Sequence, residues 1–251
     1  MLQIFRKLLL SVVLLAAAAL SLLPGRAPAA TFVSATQSNG ATRTVTYAAG
    51  QNVIIVAQDG GGGNSPLALS DGTNTYVQRG AKTDTRDGFT TTLFDCLNPT
   101  PGTYTLTLSG QQGNGAVNII LYTGLASFSS GSFESALFTS TSPSTLPTTT
   151  NGITTAAITP GSFPTMIFAA SQTSEGQVLA PGTGFTSRFA NDAVGDGNNG
   201  VYVEDLLLTS GSNIASFTAT ALAGADATVI GAAYILAPPP PSKFPAFGVG
   251  P

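Results

Sequence analysis

The residues of this chain best suited to chemistry lie in an oxygen-rich stretch, NDAVGDGNNG, at positions 191–200. It brings Asp192, Asp196, Asn198 and Asn199 together among glycines. Hard oxygen ligands on a backbone free to turn suit Ca²⁺. A second stretch, TDTRDGF at 83–89, offers Asp84 and Asp87. Neither has the spacing of an EF-hand loop, and Asp, Asn and Gly are also what a long hairpin loop uses. A Ca²⁺ site on Asp192, Asp196 and Asn198 therefore stands against ordinary turn chemistry. No other cofactor is suggested.

The remaining chemistry is narrowed by what the chain lacks. It has no histidine, which removes Ser-His-Asp and Cys-His nucleophile arrangements and histidine-ligated metal sites. A single cysteine, Cys96, allows neither an internal disulfide nor a thiolate cluster. It sits in the apolar run TTLFDCL and reads as a small buried hydrophobe. What is left for catalysis is a pair of carboxylates, as glycoside hydrolases use. Glu204 and Asp205 are adjacent, but neighbours on a strand point to opposite faces. Glu204 would have to meet Glu175 or Asp95 instead. Nothing in the spacing requires that, so no catalytic residue is assigned and a carboxylate-based hydrolase is the least favoured reading. The run Gly60-Gly61-Gly62-Gly63 has no lysine after it and reads as a connecting loop rather than a phosphate cradle.

The elements that must position these residues are strands. Short runs rich in Val, Ile, Thr, Tyr and Phe recur between Gly, Pro and Asn-Gly signals roughly every 8–12 residues, the pattern of an all-β sandwich or barrel. Strands are expected near 43–48, 52–58, 89–97, 103–109 and 116–122, and again near 153–159, 164–170, 201–209, 215–220 and 227–236. Set side by side, the two groups repeat, with Arg79 opposite Arg188, Asp95 opposite Glu204 and Gly102 opposite Gly211. The Thr/Ser/Pro-rich segment 139–164 reads as the seam between pseudo-repeats at about 31–126 and 153–237. Two architectures follow: one jelly-roll-like β-sandwich with two pseudo-repeated halves, each giving strands to both sheets, or two tandem immunoglobulin-like domains. Runs such as Val53-Ile54-Ile55-Val56 and Met166-Ile167-Phe168-Ala169 are apolar on both faces, as central strands partly covered by loops would be.

The ends have characters of their own. Arg6 and Lys7, an apolar run from Leu8 to Leu23, and Ala27-Pro28-Ala29 have the form of a cleaved signal peptide over 1–29. Export to the periplasm, cell surface or medium is expected, with no membrane span after removal. Taking Arg6, Lys7 and Arg26 from the nine basic residues leaves six against twelve acidic ones, a formal charge of −6. No basic cluster suits a nucleic acid. Charged residues are only 8% of the chain, about a third of the usual share, so Thr, Ser, Gly and Asn carry the polarity. From Pro238 the tail PPPPSKFPAFGVGP reads as an extended arm.

The motif SDGTNTYV at 70–77, after GQNVIIVAQ and before PGTYTLTLSG and VNIILYTGL, resembles a loose group of uncharacterised β-sandwich proteins. These occur among secreted bacterial proteins and phage structural proteins and carry a D-x-x-G-N-x-Y strand motif. Here Thr73 replaces the motif's glycine, and Thr123-Gly124-Leu125 stands where the group ends a strand in S-G-L. The resemblance implies a fold and no activity. The expected function is a non-enzymatic exported sandwich acting by surface contact: adhesion, glycan contact or envelope decoration. Its partner would be a glycan or a cell-surface or assembly protein. The alternative is a structural subunit of a virion or filament.

Overall fold

The computed structural model describes residues 29–59, 67–83, 88–111, 115–137, 151–173, 179–191, 200–214, 216–219 and 226–238. Residues 1–28 of the leader, Gly60 to Gly63, Asp84, Asp87, Glu175, Asp192, Asp196, Asn198, residues 139–150 of the Thr/Ser/Pro segment and the tail beyond Pro238 lie outside them. Residues Ala30–Ala237 form one compact unit.

The described residues form sixteen strands and no helix. The first group is β1 (Thr31–Asn39), β2 (Thr42–Tyr47), β3 (Gln51–Asp59), β4 (Ala68–Ser70), β5 (Val77–Thr83), β6 (Thr90–Cys96), β7 (Gly102–Ser109) and β8 (Ala116–Thr123). The second is β9 (Leu125–Leu137), β10 (Asn151–Thr154), β11 (Thr165–Thr173), β12 (Leu179–Ala180), β13 (Thr186–Asn191), β14 (Gly200–Leu208), β15 (Ser216–Ala219) and β16 (Asp226–Leu236).

Every pairing is antiparallel, and the strands sort into four sheets. The first group makes a five-stranded sheet, β1-β8-β3-β6-β5, and a three-stranded sheet, β2-β7-β4. The second makes β13-β14-β11-β16-β9 and β10-β15-β12. Chain neighbours such as β1 and β2, or β3 and β4, lie in different sheets, the alternation of a jelly-roll-like sandwich. No sheet mixes the two groups. The all-β sandwich expected from the sequence is thus borne out, though its strands form four sheets stacked in the order three, five, five, three and neither group feeds the other's sheets.

Three apolar clusters lie between the four layers. Val45, Tyr47, Val53, Ile55, Leu106 and Ile119 fill the space between the first group's two sheets. Ile153, Ile158, Ile167, Tyr202 and Val229 do the same in the second. Between the five-stranded sheets lie Ile54, Val56, Leu93, Ile120, Met166, Phe168, Val203 and Ile230. Alternate residues of β3 therefore enter different layers, Val53 and Ile55 on one side and Ile54 and Val56 on the other. The same holds for Ile167 and Phe168 of β11. These runs are apolar on both faces because a sheet covers each face; loops are not needed.

The passage from one group to the other is Thr123-Gly124-Leu125, and Gly124 has φ +85°. The Thr/Ser/Pro segment instead lies inside the second group, after β9. That strand's sequence, LASFSSGSFESAL, gives little strand signal, because five serines and one glycine leave it few of the β-branched and aromatic residues that favour strands. It survives as an edge, paired along its length with β16 alone.

Candidate functional site

Among the described residues four acidic side chains are buried, Asp59, Asp95, Glu204 and Asp205, and Asp95 and Asp205 lie between the five-stranded sheets. Arg79 is the extra residue of a bulge in β5, where the pairing with β6 shifts between Gln78 and Gly80. A bulge re-aims the side chain it carries. Arg79 donates from Nε and Nη2 to the Asp95 carboxylate at 2.7 and 2.9 Å, and Asp95 is 1% exposed. Its guanidinium also lies 4.7 Å from the ring centre of Phe128 on β9, in the other group. Arg188 occupies the matching bulge of β13, between Ser187 and Phe189. It donates to Asp205 at 2.7 Å and lies 5.3 Å from the ring of Phe32 on β1.

Two tyrosines extend the arrangement. Tyr122 of β8 donates to Asp205 at 2.8 Å, and Tyr234 of β16 faces Asp95 without a hydrogen bond of good geometry. Each stands edge-on to a phenylalanine of its own group, Phe32–Tyr122 and Phe128–Tyr234, both at 5.8 Å and 74°. Burial pushes both phenols above their ordinary range, and the nearby carboxylates add to it. Each group's ion pair is therefore met by the other group's aromatic residues. Their shielding makes the two ion pairs fasteners for the stacked sheets.

This geometry corrects one correspondence drawn from the sequence. The sequence sets Glu204 opposite Asp95, but the carboxylate that Arg188 holds, as Arg79 holds Asp95, is that of Asp205. Asp95 pairs across its ladder with Val77, two residues before Arg79, and Asp205 pairs with Thr186, two before Arg188. Glu204 points the other way, on the face of Tyr202, where Oε2 accepts from the Gly182 N–H at 2.8 Å. It cannot meet Asp95, which lies in another layer; Glu175 lies outside the described residues. Among the described residues no three acidic or cysteine side chains group as metal ligands would.

The SDGTNTYV motif folds into a locked turn between β4 and β5. Asp71 Oδ1 accepts from the N–H groups of Thr73 and Asn74 at 2.9 and 2.7 Å. Oδ2 accepts from Asn74 Nδ2 and the Tyr76 hydroxyl, each at 2.7 Å. The Tyr76 hydroxyl also meets that of Tyr47 at 2.7 Å, and Asn74 Oδ1 accepts from the Thr100 N–H at 2.7 Å. Burial alone would raise the Asp71 carboxyl, but the bonds from Asn74, Tyr76 and Thr73 outweigh it and hold the carboxyl below its ordinary value. Burial pushes the Tyr47 phenol up to about 12.

Beside this turn opens a cleft of about 390 Å³. Thr73, Asn74, Thr75 and Val77 form one side, Asn98 and Thr100 the other, and Arg79, Asp95 and Cys96 the base. Cys96 is buried as expected, and burial raises its thiol. The cleft was missed in the sequence. The usable signal was the motif itself, whose polar residues exceed what a short turn needs.

The outermost surface of the first group is different in kind. Along β2, Thr42, Thr44 and Thr46 face solvent; along β7, Thr103, Thr105, Thr107 and Ser109 do so. The ladder sets Thr42 beside Thr107, Thr44 beside Thr105 and Thr46 beside Thr103, with Ser70 of β4 continuing the first row. The hydroxyls of Thr46 and Thr103 are 3.0 Å apart. Strand geometry spaces such rows about 4.7–4.9 Å across and about 6.8 Å along the sheet.

These features define an all-β protein of stacked antiparallel sheets with charged fasteners in its core. No family model matches the chain, and no curated protein or solved structure matches it.

Proposed function

We propose that this protein is a non-enzymatic, exported β-sandwich that works by surface contact with a glycan or another hydroxyl-rich surface. The observation that carries the reading is the threonine face of β2, β7 and β4. It offers methyl and hydroxyl groups in register, with no charge to desolvate and stiff side chains that lose little freedom on contact. Three carboxylates support the same reading: Asp95 and Asp205 hold arginines and Asp71 holds a turn, so these serve structure. Internal duplication belongs to this proposal as well. It is supported by the strand order of the second group, which is that of the first with eight added to every number. Superposing residues 31–123 on 125–236 tests it, with Arg79 expected over Arg188 and Asp95 over Asp205.

The functional test is binding of the purified protein to a glycan array, with and without Ca²⁺, beside the variants Thr44→Lys and Thr105→Lys. Two lysines in the middle of the face add charge without touching the core. Binding lost in both variants supports the reading. Binding absent from the parent, or untouched by the lysines, sinks it.

A further inference from the structure

The cleft beside the Asp71 turn is assembled from two turns at one end of the first group's sandwich, and it is built in advance of any ligand. One wall is the β4–β5 turn, fixed by the four bonds Asp71 accepts. The other is the β6–β7 turn at Asn98 to Thr100. The Thr100 N–H, bonded to Asn74 Oδ1 at 2.7 Å, ties the two walls together. A pocket whose walls are already fixed loses little ordering free energy on binding. At about 390 Å³ it falls at the small end of ligand-site volumes.

The lining specifies the chemistry. Exposed Thr73, Thr75, Asn98 and Thr100 offer side-chain hydroxyl and amide groups that both donate and accept. Val77, 40% exposed, supplies an apolar spot between them. Arg79 is 24% exposed and spends Nε and one bond of Nη2 on Asp95, so the base carries further N–H donors with the charge already balanced. Balanced charge, mixed donors and acceptors and a small apolar lining from Val77 and Leu97 are the complement of a neutral polyol that has a C–H face. We infer that this cleft binds one neutral sugar residue, such as the terminal unit of a glycan. This deepens the surface-contact reading and rests on it. Without an aromatic platform in the lining, affinity for a single residue falls in the millimolar range, about 4 kcal/mol.

The test is an amide-resolved NMR titration of the purified protein with galactose, glucose and N-acetylglucosamine, and with glucuronate as a charged control. A saturable shift is expected for at least one neutral sugar, confined to residues 73–77 and 98–100. Thr100→Lys fills the mouth, keeps the backbone N–H that bonds Asn74, and should weaken binding tenfold or more. Thr105→Lys on the outer face should leave it unchanged. No saturable shift with any neutral sugar overturns the inference. So does a shift that Thr100→Lys does not weaken, or tighter binding of glucuronate, which would make Arg79 a free cation. If the glycan array responds to Thr44→Lys but the titration is flat, the cleft fails while the surface reading stands. If the array is blank, the surface reading falls, whatever the titration shows.

Discussion

At Asp71 one carboxylate accepts four hydrogen bonds and so does the work of a turn that a longer chain segment would otherwise need. Because the folded carboxyl lies below its unfolded value, it favours folding above about pH 4. That contribution fades as pH falls toward the folded value. Asp71→Asn should therefore flatten the acid limb of stability against pH, and an unchanged limb in urea titrations at pH 3–6 would refute the assignment. Arg79 presents a different case. Removing it leaves Asp95 buried and charged, which costs about 3–5 kcal/mol. Arg188→Ala should cost less, since Asp205 is 8% exposed and keeps the Tyr122 bond. Arg79→Met combined with Asp95→Leu should regain most of the loss, because an apolar pair suits the layer as well as an ionic one. Chemical denaturation of the three variants checks the order.

Among the elements, the edge pair β5 and β9 shows how closely the groups approach. A Cβ on Gly80 of β5 would lie 2.3 Å from the Phe133 ring of β9, well inside contact distance. Gly80 is thus needed for its lack of a side chain. Gly80→Val should destabilise the protein by roughly 1–3 kcal/mol, as overpacking does. Phe133→Ala should relieve part of that penalty, so the double-mutant cycle should show coupling of about 1 kcal/mol or more. Additive effects would mean that the ring swings away freely. The other end of this layer is polar. Thr91 donates to Gln172 and meets Thr228 at 2.7 Å, and Asn191 donates to Gln37. One end of the interface is therefore aligned by side-chain amides and hydroxyls and the other by shape.

On the scale of the whole molecule, the stacked layers hold several phenols away from water. Tyr47, Tyr76, Tyr122 and Tyr234 all have raised values in the folded state, burial being the largest cause, with about 12 for Tyr47. A raised value means the folded form holds its proton where the unfolded chain has lost it. These phenols favour folding below about pH 10, and that contribution is lost as pH rises beyond. Absorbance of phenolate followed beside circular dichroism should show these four of the six tyrosines ionising only as the β signal collapses. Ionisation of all six near pH 10 in a folded protein would contradict the burial.

Much of the architecture was legible in the residues. The β class and the central position of the runs at 53–56 and 166–169 follow from alternation and turn residues, which act over a few positions. Three things did not follow. Glu204 and Asp205 are equivalent as letters, and only the bulge at Arg188 decides which of them faces the interface. The strand β9 has no local β signal, because pairing with β16 supplies its stability. The cleft joins residues 73–77 to 98–100 through one bond from Thr100 to Asn74, across 26 positions of chain. Local periodicity determines which face of a strand is apolar, but what covers that face is decided by contacts between distant segments, and those exist only once the sheets have stacked.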